Sequence, residues 1–111
     1  MKMARKKLDT LTEQMYYLLL ALNKPGHGYA IMERVREMTD GRLQIGPGTL
    51  YTLLGRFESE WVIQLDHVEE NRKVYCLTDR GRKLLQQEFE RLRRLVADGA
   101  VVFGKEEANE A

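Results

Sequence analysis

Residues 45–63, Ile-Gly-Pro-Gly-Thr-Leu-Tyr-Thr-Leu-Leu-Gly-Arg-Phe-Glu-Ser-Glu-Trp-Val-Ile, constrain the fold more than any other stretch of the chain. Pro47 suits a first helical turn, where its missing N–H leaves no bond unmade. Leu50, Leu53, Leu54 and Phe57 then recur at helical spacing and form one apolar stripe. The opposite face carries Gly48, Thr52, Gly55 and Ser59, with Tyr51 and Arg56 at its edges. Small residues, hydroxyls and one cation make that face thin and polar. A helix built this way can lie deep in a DNA major groove, because few bulky side chains hold its backbone off the bases.

The rest of the chain supplies a frame for such a helix. Thr10 and Glu13 have capping-box spacing and open a first helix over about residues 11–22, with Leu11, Met15, Leu18, Leu19 and Leu22 inward. Lys24-Pro25-Gly26 ends it. His27-Gly28-Tyr29 leads into a second helix over about 29–39, striped by Ile31, Met32, Val35 and Met38 and closed by Asp40-Gly41. Its outer face holds Glu33, Arg34, Arg36 and Glu37. After the third helix, two β-rich runs near 62–67 and 72–77 flank the polar turn Glu69-Glu70-Asn71 and predict a hairpin. Alternation in the second run sends Arg72, Val74 and Cys76 one way and Lys73, Tyr75 and Leu77 the other. Thr78 is a good N-cap for a last helix over about 79–97, which Asp98-Gly99 should end. Leu85, Phe89, Leu92 and Val96 are spaced four, three, four along it, a coiled-coil-like seam. The predicted fold class is mostly α with a small β-hairpin wing: a winged helix-turn-helix followed by a C-terminal dimerisation helix.

A chain of 111 residues fits one domain, and small domains often gain stability from a partner. We divide it into a basic flexible arm (1–9), a winged helix-turn-helix (10–78), a dimerisation helix with a short extension (79–104) and a disordered acidic tail (105–111). Net charge is only +1, so any DNA affinity must come from local patches. One such patch is the arm, where Lys2, Arg5, Lys6 and Lys7 cluster. Its residues either stay solvated or touch DNA, with Lys6 a candidate contact. The single Cys76 excludes an intramolecular disulfide. No apolar run is long enough to span a membrane, which points to a cytoplasmic protein. No nucleophile–base pair, phosphate loop or motif-placed carboxylate pair suggests an enzyme. His27, His67 and Cys76 are scattered and unpaired, so no metal and no cofactor is expected.

Several segments together resemble the PadR family of bacterial transcriptional regulators. They are His27-Gly28-Tyr29-Ala30-Ile31, Pro47-Gly48-Thr49-Leu50-Tyr51, Leu53-Leu54, Arg56-Phe57-Glu58, Arg72-Lys73-Val74-Tyr75 and Leu77-Thr78-Asp79-Arg80-Gly81. The likeness covers residue 8 to about 97, and the single helix after the wing resembles the small subfamily. It implies a homodimeric repressor on a palindromic promoter site, released by a small molecule or another signal. Where the family usually has a glycine before a Leu-Ile-type pair, this chain has Trp61 before Val62-Ile63. Glycine there takes positive φ, so Trp61 either avoids that conformation or sits in it under strain.

Candidate DNA contacts are Thr49, Tyr51, Thr52 and Arg56 on the third helix, Arg72 and Lys73 beyond the wing turn, and Tyr29 at the second helix. Tyr51 and Tyr29 have alternative packing roles, and Arg72 and Lys73 could instead pair with Asp66, Glu69 or Glu70. Candidate dimer contacts are Leu85, Phe89, Leu92 and Val96, with Tyr16 from the first helix. The same stripe could serve the intramolecular core. A dimer built on it could enclose a pocket for a small apolar effector, lined by Tyr16 and Phe103. A winged-helix module that binds protein rather than DNA is the alternative reading, favoured by the near-neutral charge.

Overall fold

The structure, a computed structural model, describes residues 8–104. Most of the expected arm, including Lys6, and the tail from Lys105 lie outside the described residues. The order is α1 (Glu13–Ala21), α2 (Gly28–Met38), α3 (Pro47–Ser59), β1 (Ile63–Glu69), β2 (Arg72–Leu77) and α4 (Asp79–Phe103).

Each helix start has a local cause. The α1 cap is Thr12, whose hydroxyl accepts from Met15 N–H, rather than the expected Thr10. His27 caps α2 through its ring: Nδ1 accepts from Ala30 N–H at 3.2 Å. Pro47 opens α3 behind Gly46. Thr78 caps α4 by accepting from Gly81 N–H at 2.9 Å.

Leu18, Leu19, Leu22, Ile31, Val35, Leu50, Phe57, Val62 and Ile63 form the centre of one core between the helices and the base of the hairpin. Burying side chains of this size stabilises by about 1.5–3 kcal/mol each before conformational entropy is set against it. Leu8, placed by sequence in the flexible arm, is buried in this core, and its N–H donates to Glu60 Oε1. Arg34, expected on an outer face, folds back instead. Its guanidinium donates to the carbonyls of Ala21, Lys24 and Pro25 and closes the end of α1.

The hairpin is antiparallel, pairing Ile63 with Leu77 and Glu69 with Arg72, with an irregularity between Leu65 and His67. Glu70 and Asn71 both take positive φ (51° and 63°), as a two-residue turn between right-twisted strands requires. Gly26 and Tyr75 exchange N–H···O bonds of 3.0 and 2.9 Å, which ties the α1–α2 loop to β2. Burial along β2 does not follow the alternation. Val74 and Tyr75 are both buried because the base of the strand is covered on both faces, and only Arg72 and Lys73 stay exposed.

The helix α3 ends in a Schellman motif. Val62 N–H donates to Phe57 O and Trp61 N–H to Glu58 O, with Trp61 at φ 60°. Trp61 therefore sits in the strained conformation, not outside it. At the other side of this junction α4 comes very close. A Cβ on Gly81 would collide with the Val62 carbonyl oxygen. The helix α4 does not stop at Asp98-Gly99 as expected but continues to Phe103 and ends at Gly104 (φ 100°). A glycine inside a helix costs only about 1 kcal/mol relative to alanine, too little for Gly99 to end a helix this long. Among the described residues no helix is long and apolar enough to cross a membrane.

Candidate nucleic-acid interface

The thin face of α3 is open. Gly48, Thr49, Thr52 and Gly55 are exposed, and a side chain at Gly48 or Gly55 would meet nothing within 4 Å. Leu50, Leu54 and Phe57 anchor the opposite face in the core, so the helix is held rigidly with its polar side outward. Arg56 is less free than the sequence suggests. Its Nε donates to Glu60 Oε2 at 3.2 Å, and it is half-buried. Glu60 thus links Arg56 to the Leu8 backbone at the point where the chain enters the domain.

A second group of side chains gathers between α2, α3 and the wing, around an open cavity of about 340 Å³. His27, Tyr51, Asn71, Arg72, Lys73 and Tyr75 line it, and no acidic residue does. Gly28 makes the close approach possible. A Cβ there would lie 2.5 Å from the Tyr51 hydroxyl, so only glycine lets that phenol sit over the start of α2. Arg72 reaches back from the hairpin, its Nη1 3.2 Å from His27 Nε2. Burial pushes the Tyr75 phenol up, with Glu58 and Tyr51 adding to the effect.

Two of the three wing acids, Asp66 and Glu69, turn to His67 rather than to Arg72 or Lys73. His67 Nδ1 lies 2.6 Å from Asp66 and Nε2 2.9 Å from Glu69. Those two hydrogen bonds, Glu69 first, raise the affinity of the imidazole for its proton. The structure therefore brings Tyr51, Arg72 and Lys73 together. Tyr29 is exposed on the first turn of α2 and does not line the cavity, while Thr49, Thr52 and Arg56 belong to the α3 face. His27 was the residue sequence reasoning missed. Its position directly before Gly28, where an N-cap belongs, was the available signal. Among the described residues no group of three or more His, Cys, Asp or Glu is placed to hold a metal.

On α4, Leu84 and Glu88 face inward and Leu85 and Leu92 are half-buried. Phe89 (45 % exposed) and Val96 (56 %) lie open, with Arg93 stacked 5.8 Å over the Phe89 ring. The extension adds Val101, Val102 and Phe103, 86 %, 79 % and 70 % exposed. Tyr16 is half-buried, edge-on to Tyr17 at 5.9 Å, and burial raises its phenol.

The model of the transcriptional regulator PadR-like family matches residues 17–87, which runs from α1 through the start of α4. This chain is a member of the PadR-like family. Its members are transcriptional regulators, not enzymes. A PadR-like transcription factor from Bacteroides fragilis superposes with a TM-score of 0.68 at 26 % identity, covering 80 % of this chain and 88 % of that one. The winged-helix DNA-binding protein F93 from STIV shares the fold, with a TM-score of 0.67 at 20 % identity over 75 % and 90 % of the two chains. An uncharacterised 37.1 kDa protein in transposon TN4556 of Streptomyces fradiae is 35 % identical over 88 residues, 79 % of this chain. The match spans only 25 % of that relative's own length. The PadR-like fold is thus a mostly helical domain with a two-strand wing, as the sequence predicts.

Proposed function

We propose that this PadR-like chain is a cytoplasmic, homodimeric DNA-binding regulator that represses transcription from a palindromic promoter site. The observation that carries this reading is the open, small-residue face of α3 beside a cavity lined by Arg72 and Lys73 and by no acidic residue. Thr49 and Thr52 would meet base edges, and Tyr51, Tyr29, Arg72 and Lys73 the flanking phosphates. Arg56 would act at the edge of the groove once released from Glu60, and Lys6 would add a contact from the arm. The α4 stripe of Leu85, Phe89, Leu92 and Val96, with Tyr16, would pair with a second copy and set the half-site spacing. A small apolar effector bound at that interface, near Tyr16 and Phe103, would relieve repression by altering the spacing.

The test is a mobility-shift series on the DNA upstream of the chain's own gene. A specific band that weakens steeply with salt is expected, because each phosphate contact releases counterions. Absence of a specific band at every salt concentration would overturn the reading. It would then favour the protein-binding alternative, which the near-neutral net charge supports.

A further inference from the structure

We propose that the cavity between His27, Tyr51 and Arg72 is a clamp for a single DNA phosphate, with neutral His27 as a hydrogen-bond donor in it. The inference rests on the DNA-binding reading and deepens it. A neutral imidazole has one N–H and one lone pair. His27 Nδ1 uses the lone pair to accept from Ala30 N–H and cap α2, which leaves the proton on Nε2. Yet Nε2 faces Arg72 Nη1 at 3.2 Å, and a guanidinium only donates. Two donors therefore point at each other with no acceptor between them. Moving the proton to Nδ1 would satisfy Arg72 but remove the α2 cap, so the imidazole cannot serve both neighbours by itself.

An anionic oxygen removes the conflict. A phosphate oxygen beside the pair accepts from His27 Nε2–H and from Arg72 at once, and the cap stays intact. The remaining lining suits the same ligand. Lys73 supplies a second cation, the Tyr51 hydroxyl and Asn71 amide supply further donors, and no carboxylate lines the cavity, the nearest charge effect being that of Glu58 on Tyr75. The ligand chemistry is that of a phosphodiester, flat against the seam of wing and α2, because the cavity is open to solvent rather than enclosed.

His27→Asn tests this with the fold preserved. Asparagine is among the best N-caps, so α2 keeps its Ala30 bond, but its shorter side chain cannot place a donor where Nε2 sits. A phosphate contact carries no sequence information, so a random-sequence duplex suffices. His27→Asn should weaken binding about fivefold with little change in salt dependence, because a neutral donor is lost. Arg72→Gln should weaken it more and reduce the salt slope by about one. The double variant should lose less than the product of the single losses, since both donors share one oxygen.

Binding by His27→Asn equal to the unaltered chain, or fully multiplicative losses, would overturn the clamp while leaving DNA binding in place. No binding of any duplex by the unaltered chain would overturn the function itself. Imidazole nitrogen NMR on the unaltered chain gives a readout independent of the variant. Nε2 should carry the proton in free and bound protein and shift when duplex is added. A proton on Nδ1 in the complex, or an unmoved Nε2, would count against the clamp.

Discussion

Trp61 shows how one residue can disobey a local rule and still hold its place. Its φ of 60° belongs to the left-handed region, which costs a residue with a Cβ about 1–2 kcal/mol. The Schellman bonds on either side and the Thr78 hydroxyl, which donates to the Trp61 carbonyl, keep it there. The indole is 71 % exposed, so it gains little from burial. Trp61→Gly should therefore raise stability by about 1 kcal/mol, read as a higher urea midpoint at unchanged slope. A lower midpoint would mean that the indole makes a stabilising contact after all. The conflict was visible in the sequence as a tryptophan where glycine was expected. Its resolution was not, because it depends on a hydroxyl seventeen residues further on.

At the level of elements, two of the contacts that tie α4 to the domain can be tested directly. The first is Gly81, where the helix backbone touches the Val62 carbonyl. Gly81→Ala should cost about 2–3 kcal/mol, since a backbone atom must move to admit the methyl group. Thermal unfolding within about 1 °C of the parent would show that α4 shifts freely. The second is Glu88, 2 % exposed, which accepts from Leu11 N–H at 2.8 Å and from Arg91 at 2.6 and 3.0 Å. The Arg91 hydrogen bonds, helped by Leu11 N–H and opposed by burial, hold its carboxyl below the usual range. A depressed folded pKa means the unfolded chain binds the proton more readily. The stabilisation is then complete above about pH 4.3 and is lost as pH falls through the folded value. The urea midpoint should drop more steeply below about pH 4 in the parent than in Glu88→Gln. Equal pH dependence would remove Glu88 as the source. The sequence shows Glu88 and Arg91 at helical spacing, but not that Glu88 would be buried beneath the entry to α1.

For the whole molecule, the outer half of α4 is the largest apolar feature left exposed among the described residues' helices. Phe89, Val96 and Phe103, spaced seven and seven, lie on one side of α4, and Val101 and Val102 extend the exposed apolar surface around its end. Large apolar patches on small domains mark interaction surfaces. If a second copy covers it, Phe89→Asp with Val96→Asp should yield a monomer by sedimentation at micromolar concentration. The parent should sediment as a dimer, and a parent that is monomeric under the same conditions would remove the α4 interface. DNA affinity of the monomeric variant should fall far more than its fold stability, because two half-sites no longer act together.

Sequence alone determined the element order, the helix α3 with its apolar stripe and thin face, and the membership that follows from ordered motifs. Those features are local: periodicity, caps and turn residues act over a few neighbours, and a single chain displays them in full. The tertiary structure decided what depends on distant partners. It took Arg34 inward to close α1, set Glu60 on the Leu8 backbone and brought His27 against Arg72 at the wing. Charged side chains are long and find partners in space rather than in sequence, so their roles are settled only once the backbone has been folded around them.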